Sequence, residues 1–595
     1  MRTKLLLIAI FLVAAAAWAA PTPSADLQAR RDALNKLLAE QWDYTMSNSP
    51  EFASILGDKR WNDQLSDNSQ AGIDADLAKT REFLTRFEAI DTTGFPEQER
   101  LNQELMVRGL KEGLEGARFK GWLMPVNQIS GIHLGVPQFP PLLTFTTVKD
   151  YDDLITRYKK LPQAFDDTIG HMRAGMAARL MPPKFLLEKV VGQIDGIAAM
   201  DPEKSPFALP LTKFPKEVSE AEQKRIREQM LAAIRGSILP SYAKLGKFVK
   251  EEYLPKGRTE PGMWSLPEGE ARYTWAVQQS TTSKLTPEEI HQIGLREVTR
   301  IEGEMLKIAN KLGYKDLKSF NAAIEADPKH KAQSRQQILD LYTKYIDQMY
   351  TKLPELFGRL PKAKVEVVPV EEFREKEASG AQYNPGSPDG ARPGRVQVNT
   401  SDATSRKTLT MESTAYHEGV PGHHMQLSIA QELPELPPFR QQGGYTSFAE
   451  GWALYSERLG KEVGFYQDPY SDYGHLQDEM LRAIRLVVDT GFHYKRWSRE
   501  QVVKFFHDHS AIDEVEVQSE TDRYIVWPGQ ALAYKIGQLK ILELRERAKK
   551  ELGAKFDIRE FHDQILGGGA LPLDVLEERI DDWIATEKGM KKAAP

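Results

Sequence analysis

The chemistry in this chain concentrates in one stretch, His417-Glu418-Gly419-Val420-Pro421-Gly422-His423-His424, and in Glu450 of the later segment Thr446-Ser447-Phe448-Ala449-Glu450. Imidazole nitrogens, a carboxylate oxygen and a neighbouring base are the set a hydrolytic zinc site requires. The pattern departs from His-Glu-x-x-His, because extra residues separate the histidines. In a regular helix His423 lies about 9 Å from His417 on the wrong side, and His424 about 10 Å away on nearly the same face. Neither spacing lets a straight helix chelate one ion. Pro421 has no N–H to offer the His417 carbonyl, and Gly419 and Gly422 open backbone angles closed to other residues. A break in the helix is therefore the condition for metal binding, and it returns either His423 or His424 to the side of His417. The competing reading ends the helix at Gly419 and leaves the histidines in a polar turn.

The third ligand is expected to be Glu450, on a helix running from about Ser447 to Gly460. Glu457, two turns further on the same face, either orients a ligand histidine or pairs with an arginine. Glu418 is the expected general base. The ligand types make Zn2+ the default, at one per chain, although manganese or cobalt suits the same mixed set. His493 follows a long helix and is a candidate for lining the substrate cleft, against the alternative of a satisfied loop histidine. His133, in a Gly- and Pro-rich loop, is a candidate for a pocket rim. His507 and His509 sit two apart on a helix and read as surface groups.

Helical periodicity dominates the elements that must position these groups. Leu27 to Met46, Asp74 to Ile90, Gln98 to Leu114 and Asp150 to Met172 place apolar residues at three- and four-residue spacing. Thr286-Pro287-Glu288-Glu289 and Ser498-Arg499-Glu500-Gln501 are capping boxes. Strand signals are confined to Lys364–Val370 and Arg395–Thr400, and the Gly- and Pro-rich stretch between them, 380–394, reads as a loop. A small sheet immediately before the histidines is either an edge for an extended peptide or a structural hairpin. The fold class is mainly α, with this sheet next to the metal-binding helix.

Arg2 and Lys4 precede the apolar run Leu5–Ala17 and a small-residue cleavage site at Ala17-Trp18-Ala19. The run falls short of the ~20 residues of a membrane-spanning helix, so residues 1–19 read as a signal peptide. Residues 20–595 read as a single large domain, with the metal-site region at 395–535. The expected location is periplasmic or secreted, with no stable membrane insertion once the signal is removed. The chain has no cysteine, so neither a disulfide nor a lipoprotein anchor is expected. Its 79 Lys+Arg against 85 Asp+Glu leave a formal charge of −6 and no electrostatic footprint for nucleic acid.

The motif His-Glu-Gly-x-Pro-Gly-His-His, the later Phe-Ala-Glu-Gly-Trp-Ala-Leu-Tyr, and Trp527-Pro528-Gly529-Gln530-Ala531 resemble domain of unknown function 885. Its members are mostly bacterial and often exported, and their expected activity is that of a largely helical metallopeptidase. More distantly, the layout resembles angiotensin-converting enzyme, thimet oligopeptidase and thermostable carboxypeptidase, which have a deep central cleft and a glutamate ligand downstream of their histidines. Aligning Gly422-His423 with the Gly-His of those motifs selects His423; helical phase selects His424. The same resemblance implies that Tyr524, in Asp522-Arg523-Tyr524, stabilises an oxyanion, with Tyr534 and Arg523 contacting substrate, Arg523 as a fork for a carboxylate. Core tyrosines at the start of an amphipathic helix are the plainer alternative.

The sequence thus points to an exported zinc metallopeptidase acting on short peptides. A zinc amidase or esterase uses the same residues, and a binding protein with a structural metal has no need of Glu418.

Overall fold

The computed structural model describes residues 25–370, 375, 378–387, 392–433 and 436–589. The expected signal peptide at 1–19 lies outside them. The chain is mainly helical, and the long helices form where periodicity places them: Ala25–Asn48, Gln70–Glu88, Glu97–Ala117 and Val148–Ala177. Both capping boxes are present. Thr286 accepts from the N–H of Glu289 at the head of the Pro287–Lys311 helix, and Ser498 from that of Gln501 at the head of Arg499–His509. Among the described residues no helix is long and apolar enough to cross a membrane.

Buried side chains gather into several clusters. The largest draws on elements from Leu101 to Ile584 and includes Tyr416, Trp452 and Val396, so it underlies the histidine region. A second is confined to residues between Val126 and Tyr253. Two helix pairs make the scaffold of the site, each through glycine. Pro287–Lys311 lies against Pro469–His493 where a Cβ on Gly294 would come within 2.8 Å of Leu486. Thr446–Glu462 meets Ala533–Leu552 even more closely, since a Cβ on Gly537 would sit 1.9 Å from the Ser447 carbonyl oxygen. Only glycine lets two backbones approach in this way.

The sheet has three strands, β1 (Val365–Pro369), β2 (Ala381–Asn384) and β3 (Gly394–Val398), in the order β1-β3-β2. β1 runs parallel to β3, and β2 antiparallel to it with Tyr383 opposite Val396. The expectation of a loop throughout 380–394 is corrected here. Ala-Gln-Tyr-Asn carries no β-branched residue and so gives no strand signal on its own. Pairing with β3 makes it a strand.

Candidate metal centre

The Met411–Glu418 helix delivers His417 and Glu418 in its last turn, and a second helix, His423–Glu432, begins five residues later. The intervening turn is built by backbone. Gly422 N–H donates to the Tyr416 carbonyl (3.0 Å) and His424 N–H to that of Gly419 (3.2 Å). A Cβ on Gly422 would lie 1.9 Å from the His417 carbonyl oxygen, so no other residue fits there. From the Thr446–Glu462 helix, the Trp452 indole donates to the Pro421 carbonyl (2.8 Å) and the Ser456 hydroxyl donates to it as well (3.3 Å). The helix that brings Glu450 therefore also grips the turn.

The break brings His417, His423 and Glu450 together, with one ligand atom from each within 4.8 Å of the others. Nε2 of His417 lies 3.4 Å from Glu450 Oε2, and Nε2 of His423 lies 3.6 Å from the same oxygen. The longer contact exceeds hydrogen-bond range. Both match the ~3.3 Å edge of a tetrahedron of donors held ~2.0–2.1 Å from a zinc ion. The two rings stand at 90° to each other, 4.8 Å between centroids. This donor set fits a zinc-type ion.

Glu457 supports it from behind. It is fully buried, and its Oε1 bonds His417 Nδ1 at 2.8 Å, which leaves Nε2 to face Glu450. Sequence reasoning missed Arg482, whose guanidinium lies 3.8 Å from that Glu457 oxygen. Burial alone would push the His417 imidazole down, but the Glu450 and Glu457 carboxylates outweigh it and raise the pKa to about 10. Glu450 is likewise held well below the carboxylate range by His417 and His423, against the burial that opposes it. The centre thus attracts positive charge, a proton in the bare chain or a dication. Glu418, half-buried at the helix end, makes no hydrogen bond among the described residues.

Four expectations change. His424 is no ligand: it is fully buried, its Nε2 donates to the Ala363 carbonyl (3.1 Å) and its Nδ1 accepts from the Tyr383 hydroxyl (2.9 Å). Burial pushes it down to about 4, and it acts as a neutral pin between β2 and the helix. Tyr524 is fully buried, with its phenol donating to Glu520 and accepting from Arg485 Nε, so it presents nothing to a substrate. His493 is a core residue rather than a cleft residue. Its Nδ1 accepts from Met263 N–H and its Nε2 donates to the Tyr524 carbonyl, and burial pushes its pKa down to about 3. Arg523 has both terminal nitrogens engaged, with Glu520 and Gln530, so it is not a free fork for a carboxylate.

Tyr534, by contrast, is half-buried, and its hydroxyl makes no hydrogen bond among the described residues. It sits in the first turn of the helix that crosses the Glu450 helix, with the Arg485 guanidinium stacked 4.7 Å over its ring. His133 is buried against Gln193 (3.1 Å), and His507 and His509 pair with Glu514 and Glu302.

A mainly helical chain with two histidines and a glutamate converging on one point is the class that fold and geometry define. The family described as bacterial protein of unknown function (DUF885) matches residues 50–580, and the chain belongs to it. The crystal structure of "the putative lipoprotein from Colwellia psychrerythraea" is similar over 94% of this chain and 99% of that one, at 30% identity and a TM-score of 0.88. The structure of "a putative lipoprotein of unknown function from Shewanella oneidensis" covers 93% of this chain and 99% of its own, with a TM-score of 0.71. At 20% identity that second likeness is one of fold. No curated protein matches the chain.

Proposed function

We propose that the protein is an exported zinc metallopeptidase that hydrolyses short peptides in a cleft over His417, His423 and Glu450. The observation that carries this reading is the convergence of those three ligand atoms within 4.8 Å, with Glu418 next in sequence to one of them. His417, His423 and Glu450 hold the ion, and Glu457 fixes the ring of His417. When bound, zinc supplies a Lewis acid for the carbonyl and brings the pKa of water near 7. Glu418 takes the proton of the attacking water and returns it to the leaving amine, the role its free carboxylate suits. Tyr534, rather than Tyr524, supplies the phenol that steadies the developing oxyanion. Export is supported by the apolar run at 5–17 and by the description of the Colwellia relative as a "putative lipoprotein".

The test is metal content and peptide-library cleavage by the purified chain and its Glu418→Gln variant. The expected result is about one zinc per chain in both, with hydrolysis lowered by at least ~100-fold in the variant. Wild-type protein that takes up no zinc overturns the reading. Equal activity in the variant removes Glu418 from it.

A further inference from the structure

Away from the histidines, the Gly269–Thr281 helix, the end of the Glu514–Val526 helix and the Pro182-Pro183 segment enclose a cavity of about 260 Å³. Its walls are mostly apolar and include Phe119, Met263, Trp275 and Ile525. Two arginines also line it, and no carboxylate does. Arg272 is 7% exposed, and its Nε donates to the Pro267 carbonyl (2.7 Å). Its two terminal nitrogens make no hydrogen bond, and no Asp or Glu lies within ion-pair distance among the described residues. Arg258 spends its Nε on the Met181 carbonyl and one terminal nitrogen on the Gly262 carbonyl and Ser265, again with no acidic partner in contact. At the same wall the buried indole N–H of Trp275 has no acceptor.

Unpaired buried donors are costly. A guanidinium edge that no carbonyl or carboxylate of the protein occupies is a ready seat for an anionic group. Burial lowers the pKa of both arginines, Arg258 to about 10, yet both remain cationic at neutral pH. A cavity with two positive charges on its lining, apolar walls and an unoccupied Arg272 edge therefore suits an anion with an apolar body.

We propose that this cavity binds a small carboxylate with an apolar, preferably aromatic, body and no ammonium group. The carboxylate takes the free edge of Arg272, and Arg258 completes the charge balance. The ring lies among Phe119, Trp275 and Ile525, where the Arg272 guanidinium already stacks 5.3 Å over Phe119. An amino acid is disfavoured because its ammonium would face two arginines across a lining that includes no carboxylate, Glu260 and Glu268 lying outside it. Binding there requires no metal and is independent of peptide hydrolysis.

The experiment titrates the full chain with 3-phenylpropionate, followed by tryptophan fluorescence and calorimetry, beside 3-phenylpropionamide, phenylalanine and inorganic phosphate. The expected result is saturable binding of phenylpropionate at millimolar concentration or below, at least ~10-fold tighter than the amide, phenylalanine or phosphate. Arg272→Met, which keeps the packing of the stem, should lose about tenfold or more of that affinity, and Trp275→Phe a smaller part. Equal binding of acid and amide by the wild-type chain overturns the proposal even if a variant fails to fold. So does the absence of binding at millimolar acid, or phosphate binding as tightly as phenylpropionate.

Discussion

Two places in this molecule gather like charge around a gap, and they do so with opposite sign. Around His417 and His423 the Glu450 and Glu457 carboxylates converge on the two rings, and the local field calls for a cation, a proton in the bare chain or a metal dication. Around Arg258 and Arg272 the cavity gathers guanidinium groups with no acid in contact, and the field calls for an anion. Other buried charges close on partners within the protein: Lys535 lies between Glu479 and Glu297, Arg485 meets Glu520, and Arg157 and Arg440, with no acid in contact, are bonded to carbonyl and amide oxygens. The difference teaches where to look for ligands. A buried ion pair that closes on itself is structure, whereas one half of a pair facing a gap is a site.

The largest effect that would break this comparison is loss of the cation. Glu450→Ala or His417→Ala should abolish stoichiometric zinc binding, read by metal analysis after dialysis, and retention of one zinc per chain by either would remove the centre. Next, Tyr534→Phe should lower kcat by about 100-fold or more while leaving KM and zinc content nearly unchanged. Tyr524→Phe should instead reduce stability by about 1 kcal/mol in a denaturant melt and spare kcat. Glu457→Gln should weaken zinc by about 10–100-fold, because the ring of His417 loses the carboxylate that orients it. The smallest effects on the metal come from positions the structure assigns to support. His424→Ala should keep its zinc and lose about 1–3 kcal/mol of stability, and Arg272→Met should leave zinc content untouched.

Much of this was legible in the sequence. The capping boxes and periodic helices follow from local rules, and the convergence at the centre follows from Gly419, Pro421 and Gly422 at positions that forbid a straight helix. The choice between His423 and His424 was not legible, because it depends on which ring turns toward Glu450 and which toward Tyr383 on β2. That strand was itself silent until β3 paired with it. Tyr524 and Tyr534 were equally inscrutable. Both belong to helical segments with tyrosines, and only packing buries one phenol against Glu520 and leaves the other open. Arg482, Arg258 and Arg272 gave no signal at all, since a lone arginine in a helix or loop normally reaches solvent.

The turn between the two histidine helices is held by donors from Trp452 and Ser456 and by its own backbone, none of which needs an ion. Its shape is therefore an attribute of the polypeptide. A chelated and dialysed sample should regain zinc as fast as the ion can diffuse in and shed water, with no slow refolding phase. The same rigidity should let cobalt replace zinc as a spectroscopic reporter without redrawing the fold around it.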